Sequence, residues 1–105
     1  MSEETFEILD GVRRAKSYEL LGKPAIPAEI IDDEGNIVGR REVPIDSLRV
    51  PTKSRIDIST QKAWERFIKT FNQVKAGSPT PPILITPGSQ GQKLRDIQLD
   101  PTGED

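Results

Sequence analysis

At 105 residues, of which 33% are apolar, the chain is sized for one domain with a single core of modest dimensions. It contains no cysteine and no histidine, which excludes disulfide stapling, thiol catalysis and every use of imidazole as base or metal ligand; any metal would be a hard ion, magnesium or manganese, held by carboxylates. The net charge of −2 gives no overall pull toward polyanions, so affinity for nucleic acid would have to come from a local patch.

Thr5 to Leu9 reads as a short strand with Phe6 and Ile8 on one face, and Asp10-Gly11 as the turn that ends it. A helix is expected from Val12 to Leu21, with Val12, Ala15, Tyr18 and Leu21 on one side; Gly22 and Pro24 then stop it. "IPAEIID" reads as a strand, "DDEGN" as a hairpin turn with Gly35 at the left-handed position, and "IVGRREVPI" as the returning strand. "VPIDSLRVP" reads as a strand end and a bend, and "TKSRIDIS" as irregular or extended.

The clearest helix is expected from Thr60 to Ala76. Ser59 or Thr60 serves as its cap, Gly77 as its stop, and Trp64, Phe67, Ile68 and Phe71 as its apolar stripe; Trp64, Phe67 and Phe71 are expected in the core. "SPTPP" is a stiff connector, "ILIT" an internal strand, "PGSQGQ" a loop and "KLRDIQL" a last strand. The sum is a small α+β domain with a mixed sheet and two main helices, spanning 1–105, with residues 1–4 and 100–105 as frayed tails. No run reaches the ~18 apolar residues of a membrane span, and the N-terminus carries no secretory pattern, so a cytoplasmic protein without membrane contact is expected.

The chemistry concentrates in "EILDGVRRAKSYELLG". A strand, a glycine and a helix start present unpaired amides at the positive end of a helix dipole, a natural seat for an anion. Arg13 and Arg14 in that first turn oppose the dipole unless an anion answers them. Phosphate binding is one reading; the other is that both arginines reach solvent or pair with Asp10 and Glu19, with Asp10 acting as helix N-cap.

The run "ILDGVRRAKSYELLGKPAIPAEII" resembles the segment of the ParB N-terminal domain and sulfiredoxin superfamily that carries its G-x-x-R signature, with Gly11, Arg13 and Arg14 matching the glycine and basic pair. "VPIDSLRVP", "STQKAWERFIKTF" and "SPTPPILITPGSQGQ" resemble that family's opening strand, first helix, PPI strand and Gly-rich loop, which normally come earlier. The resemblance therefore implies a circularly permuted ParB/sulfiredoxin-like fold over about residues 5–92. In this scheme "TFEIL" precedes the signature glycine, and "KLRDIQL" is an added edge strand or pairs with it in a closing hairpin.

Val12 stands where sulfiredoxins have their cysteine, which excludes their reaction, and where ParB proteins have a glutamate, which argues against CTP hydrolysis. Lys62 matches a family phosphate-binding lysine, while the hydroxyl positions after it become Glu65 and Lys69. Permuted members among bacterial nuclease and toxin domains carry runs similar to Asp10–Ala15 and to "PTKSRID", Pro51 to Asp57.

The resemblance implies a ParB-like nuclease, a DNase acting through positioning and electrostatics. Its catalytic residues would be Asp10, Arg13, Arg14, Lys53 and Ser54, with Asp57 assisting, and its phosphate ligands Gly11, Arg13, Arg14, Lys53, Arg55 and Lys62. Asp10 would orient water or hold magnesium or manganese, the only cofactors implied. The alternative is a non-hydrolytic nucleotide- or DNA-binding module of the partition or regulatory type. Beside both stand the bland readings: a solvated loop for Lys53–Arg55 and a wet helix face for Lys62 and Lys69.

Overall fold

The computed structural model describes residues 4–52 and 55–101. The chain runs β1 (Phe6–Asp10), α1 (Val12–Leu20), β2 (Ala25–Ile31), β3 (Ile37–Pro44), a 3₁₀ turn (Ile45–Ser47), β4 (Leu48–Val50), β5 (Ile56–Asp57), α2 (Gln61–Lys75), β6 (Ile83–Pro87), β7 (Gln92–Lys93), a second 3₁₀ turn (Leu94–Asp96) and β8 (Leu99–Asp100). The architecture is α+β, with a six-stranded mixed sheet in the order β3-β2-β6-β1-β4-β7 and a separate two-stranded ribbon, β5-β8.

The apolar run of β6 explains its place in the sheet. Ile83 and Ile85 are fully buried because the strand is flanked on both sides, antiparallel by β1 and parallel by β2, with Ile85 opposite both Ile8 and Ile30. In β1 the alternation predicts the faces correctly: Phe6 and Ile8 enter the core. In β2, Ile26 and Ala28 are buried as expected, and an irregular register between Ile30 and Ile31 turns Ile31 inward as well. The β2–β3 hairpin closes over Asp32, whose Oδ1 accepts from the backbone N–H groups of Glu34 and Asn36, both at 2.9 Å.

α1 ends in a Schellman arrangement: Gly22 N–H donates to the Glu19 carbonyl and Lys23 N–H to that of Tyr18. Its inward side differs from the predicted stripe. Ala15 is buried, but so are Lys16 and Ser17, while Val12 and Tyr18 pack at the edge of the core. Lys16 is 4% exposed and turns its ammonium into the structure, donating to the Leu94 carbonyl at 2.9 Å and pairing with Glu19 at 2.7 Å. It is therefore a tie between α1 and the second 3₁₀ turn, and no part of a basic surface with Arg13 and Arg14.

Other expectations are corrected as well. "KLRDIQL" is no single strand: β7 is the short edge of the large sheet, Leu94–Asp96 form a 3₁₀ turn, and β8 joins β5. Leu94 and Ile97 are both buried, and a strand would send residues three apart to opposite faces, whereas a 3₁₀ turn aligns them. The same logic converts "VPIDSL" into a 3₁₀ turn, with Ile45 and Leu48 both inside. "TFEIL" makes no hairpin with this region, since β1 pairs with β4 and β6.

Trp64 is not in the core. The buried line of α2 runs through Phe67 and Val74, seven residues apart, leaving Phe71 half-buried and Trp64 44% exposed on the flank, stacked on Phe67 at 6.5 Å. The expected cap is present: Thr60 Oγ1 accepts from Ala63 N–H at 3.0 Å. Asp100, expected in a frayed tail, lies in β8, and Glu4 pairs with Arg41. Among the described residues no helix is long and apolar enough to cross a membrane.

Lys16→Met keeps the stem and removes the donor from the Leu94 carbonyl and from Glu19. It is expected to lower stability by about 1–3 kcal/mol in a urea titration, and an unchanged midpoint would contradict this assignment.

Candidate functional site

The first strand passes into the first helix through one residue. Gly11 is the N-cap of α1 at φ 102°, ψ 26°, and no side chain caps the helix. Asp10 is therefore not the N-cap; Gly11 stands in that position, with its carbonyl accepting the first helical bond from Ala15 N–H at 2.9 Å. The glycine is required twice over. Its φ lies in the left-handed region, and a Cβ there would approach Ile83 Cγ2 to 2.5 Å. Its presence is thus explained by packing before any ligand is considered.

An open cleft of about 800 Å³ lies over this turn. One wall is the end of β1 and the first turn of α1, Leu9 to Arg14. The opposite wall is a stripe of α2, where Arg66, Lys69, Thr70 and Gln73 recur at i, i+3, i+4 and i+7. Arg55 and Ile56 of the β5 region contribute the third side, with Pro81 between. Five cations, Arg13, Arg14, Arg55, Arg66 and Lys69, and one carboxylate, Asp10, are among the lining residues of a chain whose net charge is −2. The packing of α1 against α2 brings the first and second walls together.

Of the residues expected to act, Asp10, Gly11, Arg13, Arg14 and Arg55 all line this cleft. Lys53 and Ser54 lie outside the described residues. Lys62 is exposed near the start of α2 and is not among the lining residues; by spacing it sits one turn before Arg66 on the same stripe. Arg66 was missed by sequence reasoning, and Lys69 was assigned only to a wet helix face. The signal that could have found them is a polar stripe at helical spacing beside the Phe67 and Val74 line, which becomes informative only once α2 is known to pack against α1.

The cations differ in how they are held. Arg14 Nη1 donates a long bond of 3.4 Å to the Pro82 carbonyl. Arg55 pairs with Asp100 at 3.6 Å. Arg13 lies near Asp57, close enough to favour that carboxylate. Arg66 and Lys69 have no ion pair or side-chain hydrogen bond among the described residues. Pairing of Arg13 or Arg14 with Glu19 is not observed, because Glu19 holds Lys16.

Asp57 serves locally. Its Oδ1 accepts from Ser59 Oγ at 2.6 Å and from Ser59 N–H at 2.8 Å, an Asx-type turn that delivers the chain to the Thr60 cap. These bonds, with a smaller contribution from Arg13, hold its carboxyl below the ordinary value, against the opposing effects of desolvation and Asp100.

The donor set suits anions far better than a protein-held metal. Asp10 is the one carboxylate among the lining residues and stands beside cations, and no three acidic groups converge among the described residues. What the arrangement does well is surround a negatively charged group with guanidinium and ammonium donors.

No protein-family model matches the chain, and comparison with curated proteins and with solved structures yields no match.

Gly11→Ala is expected to cost about 1–3 kcal/mol through backbone strain alone, with the Ile83 clash adding to it, read as a lowered urea midpoint. For Asp57 the sign follows from the depressed folded pKa: its stabilisation is present above the unfolded value of 3.8 and is lost as pH falls through the folded value. Asp57→Ala should therefore melt below the parent chain near neutral pH, with the gap closing in the acid range below 3.8. A gap independent of pH would show that the bonds to Ser59 contribute nothing.

Proposed function

We propose that the chain binds the phosphates of a nucleic-acid strand or nucleotide in the cleft between α1 and α2. The observation that carries this reading is the concentration of five cations on three separate elements around one cleft in an acidic protein. Like charges gathered this way repel one another, and a bound phosphate group relieves that repulsion while accepting charge-assisted hydrogen bonds. The uncapped first turn of α1 adds amide donors at the positive end of a helix dipole. The resemblance of Gly11, Arg13 and Arg14 to the signature of the ParB/sulfiredoxin superfamily, in permuted order, supports the same ligand chemistry.

A second reading, a ParB-like nuclease, is favoured by one specific feature. Asp10, an exposed carboxylate, shares the cleft with Arg13 and Arg14 and is the one carboxylate base among the described lining residues, placed to deprotonate water. The arginines would then position the scissile phosphate and stabilise the charge that develops on it. Magnesium or manganese, if used, would be carried by the substrate phosphates with Asp10 as its protein contact.

Binding is measured by anisotropy of a labelled oligonucleotide over a salt series. Affinity is expected to fall with salt, with a log–log slope of about −2 to −3.5 for a single strand making ~3–5 phosphate contacts. Arg66→Glu, at an exposed position, should weaken binding by about tenfold or more with an unchanged melting temperature. Salt-independent binding that ignores Arg66→Glu would sink the proposal. Plasmid incubated with magnesium, manganese or chelator separates the two readings: nicking abolished by Asp10→Asn with binding retained supports the nuclease, and intact plasmid in all arms leaves binding alone.

A further inference from the structure

We infer, resting on the phosphate-binding reading above, that the cleft recognises a run of linked phosphates and is indifferent to the base attached to them. Two groups of observations carry this.

The first is what the walls offer. Discrimination between bases needs hydrogen-bonding groups fitted to a base edge, commonly with an aromatic surface to hold the ring. No aromatic side chain is among the described lining residues. The aromatic residues of α2 lie away from the cleft stripe: Phe67 is buried in the core, and Trp64, Phe67 and Phe71 stack on one another along the helix. Tyr18 is engaged with Thr80, with 3.2 Å between their oxygens. The neutral polar side chains among the described lining residues are Thr70 and Gln73, both on the stripe already occupied by Arg66 and Lys69. A guanidinium plane can stack under a base, but it does so for every base alike.

The second is how the cations are spread. Arg13 and Arg14 stand on one wall, Arg66 and Lys69 on the facing one, and Arg55 on a third, around a volume of about 800 Å³. That volume is within the ordinary range for a whole small-molecule ligand, ~300–1,000 Å³, and well beyond what one phosphate group fills. A single phosphate reaching the α1 arginines leaves the α2 pair unanswered. Two or more linked phosphates crossing from one wall to the other answer both. Phosphodiesters of a strand and phosphoanhydrides of a free triphosphate share this chemistry.

The test is calorimetric titration of the full chain at fixed ionic strength with orthophosphate, inorganic triphosphate, the four nucleoside triphosphates, and single strands of dA, dC and dT of equal length. The expected result is that the four nucleoside triphosphates lie within about threefold of one another and of inorganic triphosphate, and orthophosphate is weaker by about tenfold or more. The homopolymer strands should be equal to one another within the same margin. Equal binding of the strands with no binding of free triphosphates also supports the inference and identifies the source as nucleic acid.

Lys69→Glu should weaken the multi-phosphate ligands by about tenfold, and by more than it weakens orthophosphate. A preference of about tenfold or more for one base, or for nucleoside triphosphates over triphosphate, overturns base indifference while leaving phosphate binding intact. Orthophosphate binding as tightly as triphosphate overturns the bridging of the two walls. If no phosphate compound and no strand binds, the phosphate reading itself fails, and this inference with it.

Discussion

The contact between Gly11 and Ile83 is the constraint on which the molecule is organised. β6 is the strand the sheet is built around, and Ile83 at its start is fully buried. β1 runs antiparallel beside β6, and at Gly11 the backbone passes close against the Ile83 side chain before turning into α1 within one residue in a left-handed conformation. A side chain at position 11 has no room, and a longer turn would displace the start of α1 from the position that puts it against β2, β6 and α2. This close approach fixes where α1 begins, and α1 in turn packs against α2, with the cleft over the turn. The structure is thus tightest immediately below the site and open above it.

Charge is distributed by the same logic. Outside the cleft three cations are matched locally, Lys16 by Glu19, Arg40 by Glu29 and Arg41 by Glu4, each at 2.7 Å. Within the cleft Arg55 pairs with Asp100 at 3.6 Å, while Arg66 and Lys69 have no ion pair among the described residues. The acidic residues that make the chain negative overall are mostly spent elsewhere. A net charge of −2 therefore conceals a locally positive field, and it is the local field that acts on a ligand within a Debye length of about 8–10 Å.

Much of the fold was legible in the sequence where one pattern had one meaning. The alternation of Phe6 and Ile8, the unbroken "ILIT", the Thr60 cap and Gly77 stop of α2, and the turn at Gly35 each carry a local physical cause, and each element forms. Reading failed where two periods compete. Ile45 and Leu48, or Leu94 and Ile97, lie three apart in short segments that pass equally for a strand with one misplaced residue; only the presence of core on both sides of the turn selects 3₁₀.

The site divides the same way. The end of β1 and start of α1 were readable from one contiguous stretch, since strand, glycine and basic pair are adjacent. Arg66 and Lys69 were not, because their role depends on a helix–helix contact between residues some fifty positions apart, and no local pattern encodes that. Lys16 shows the converse: three basic residues in a row of four look like one patch, yet the helix turns one of them inward to bond the Leu94 carbonyl.

The arrangement of walls gives the phosphate reading a thermodynamic consequence. α1 and α2 pack against each other near the cleft while carrying cations on the sides that face across it, so the contact is held by the apolar residues beneath against repulsion above. An anion seated between the walls reverses the sign of that upper interaction. It also binds only where both helices are in place, and a group that binds the folded chain alone stabilises it by mass action. Affinity for the ligand and cohesion of the two helices are then one quantity seen from two sides. The same cations that lower stability in the empty cleft are those through which a phosphate chain would raise it.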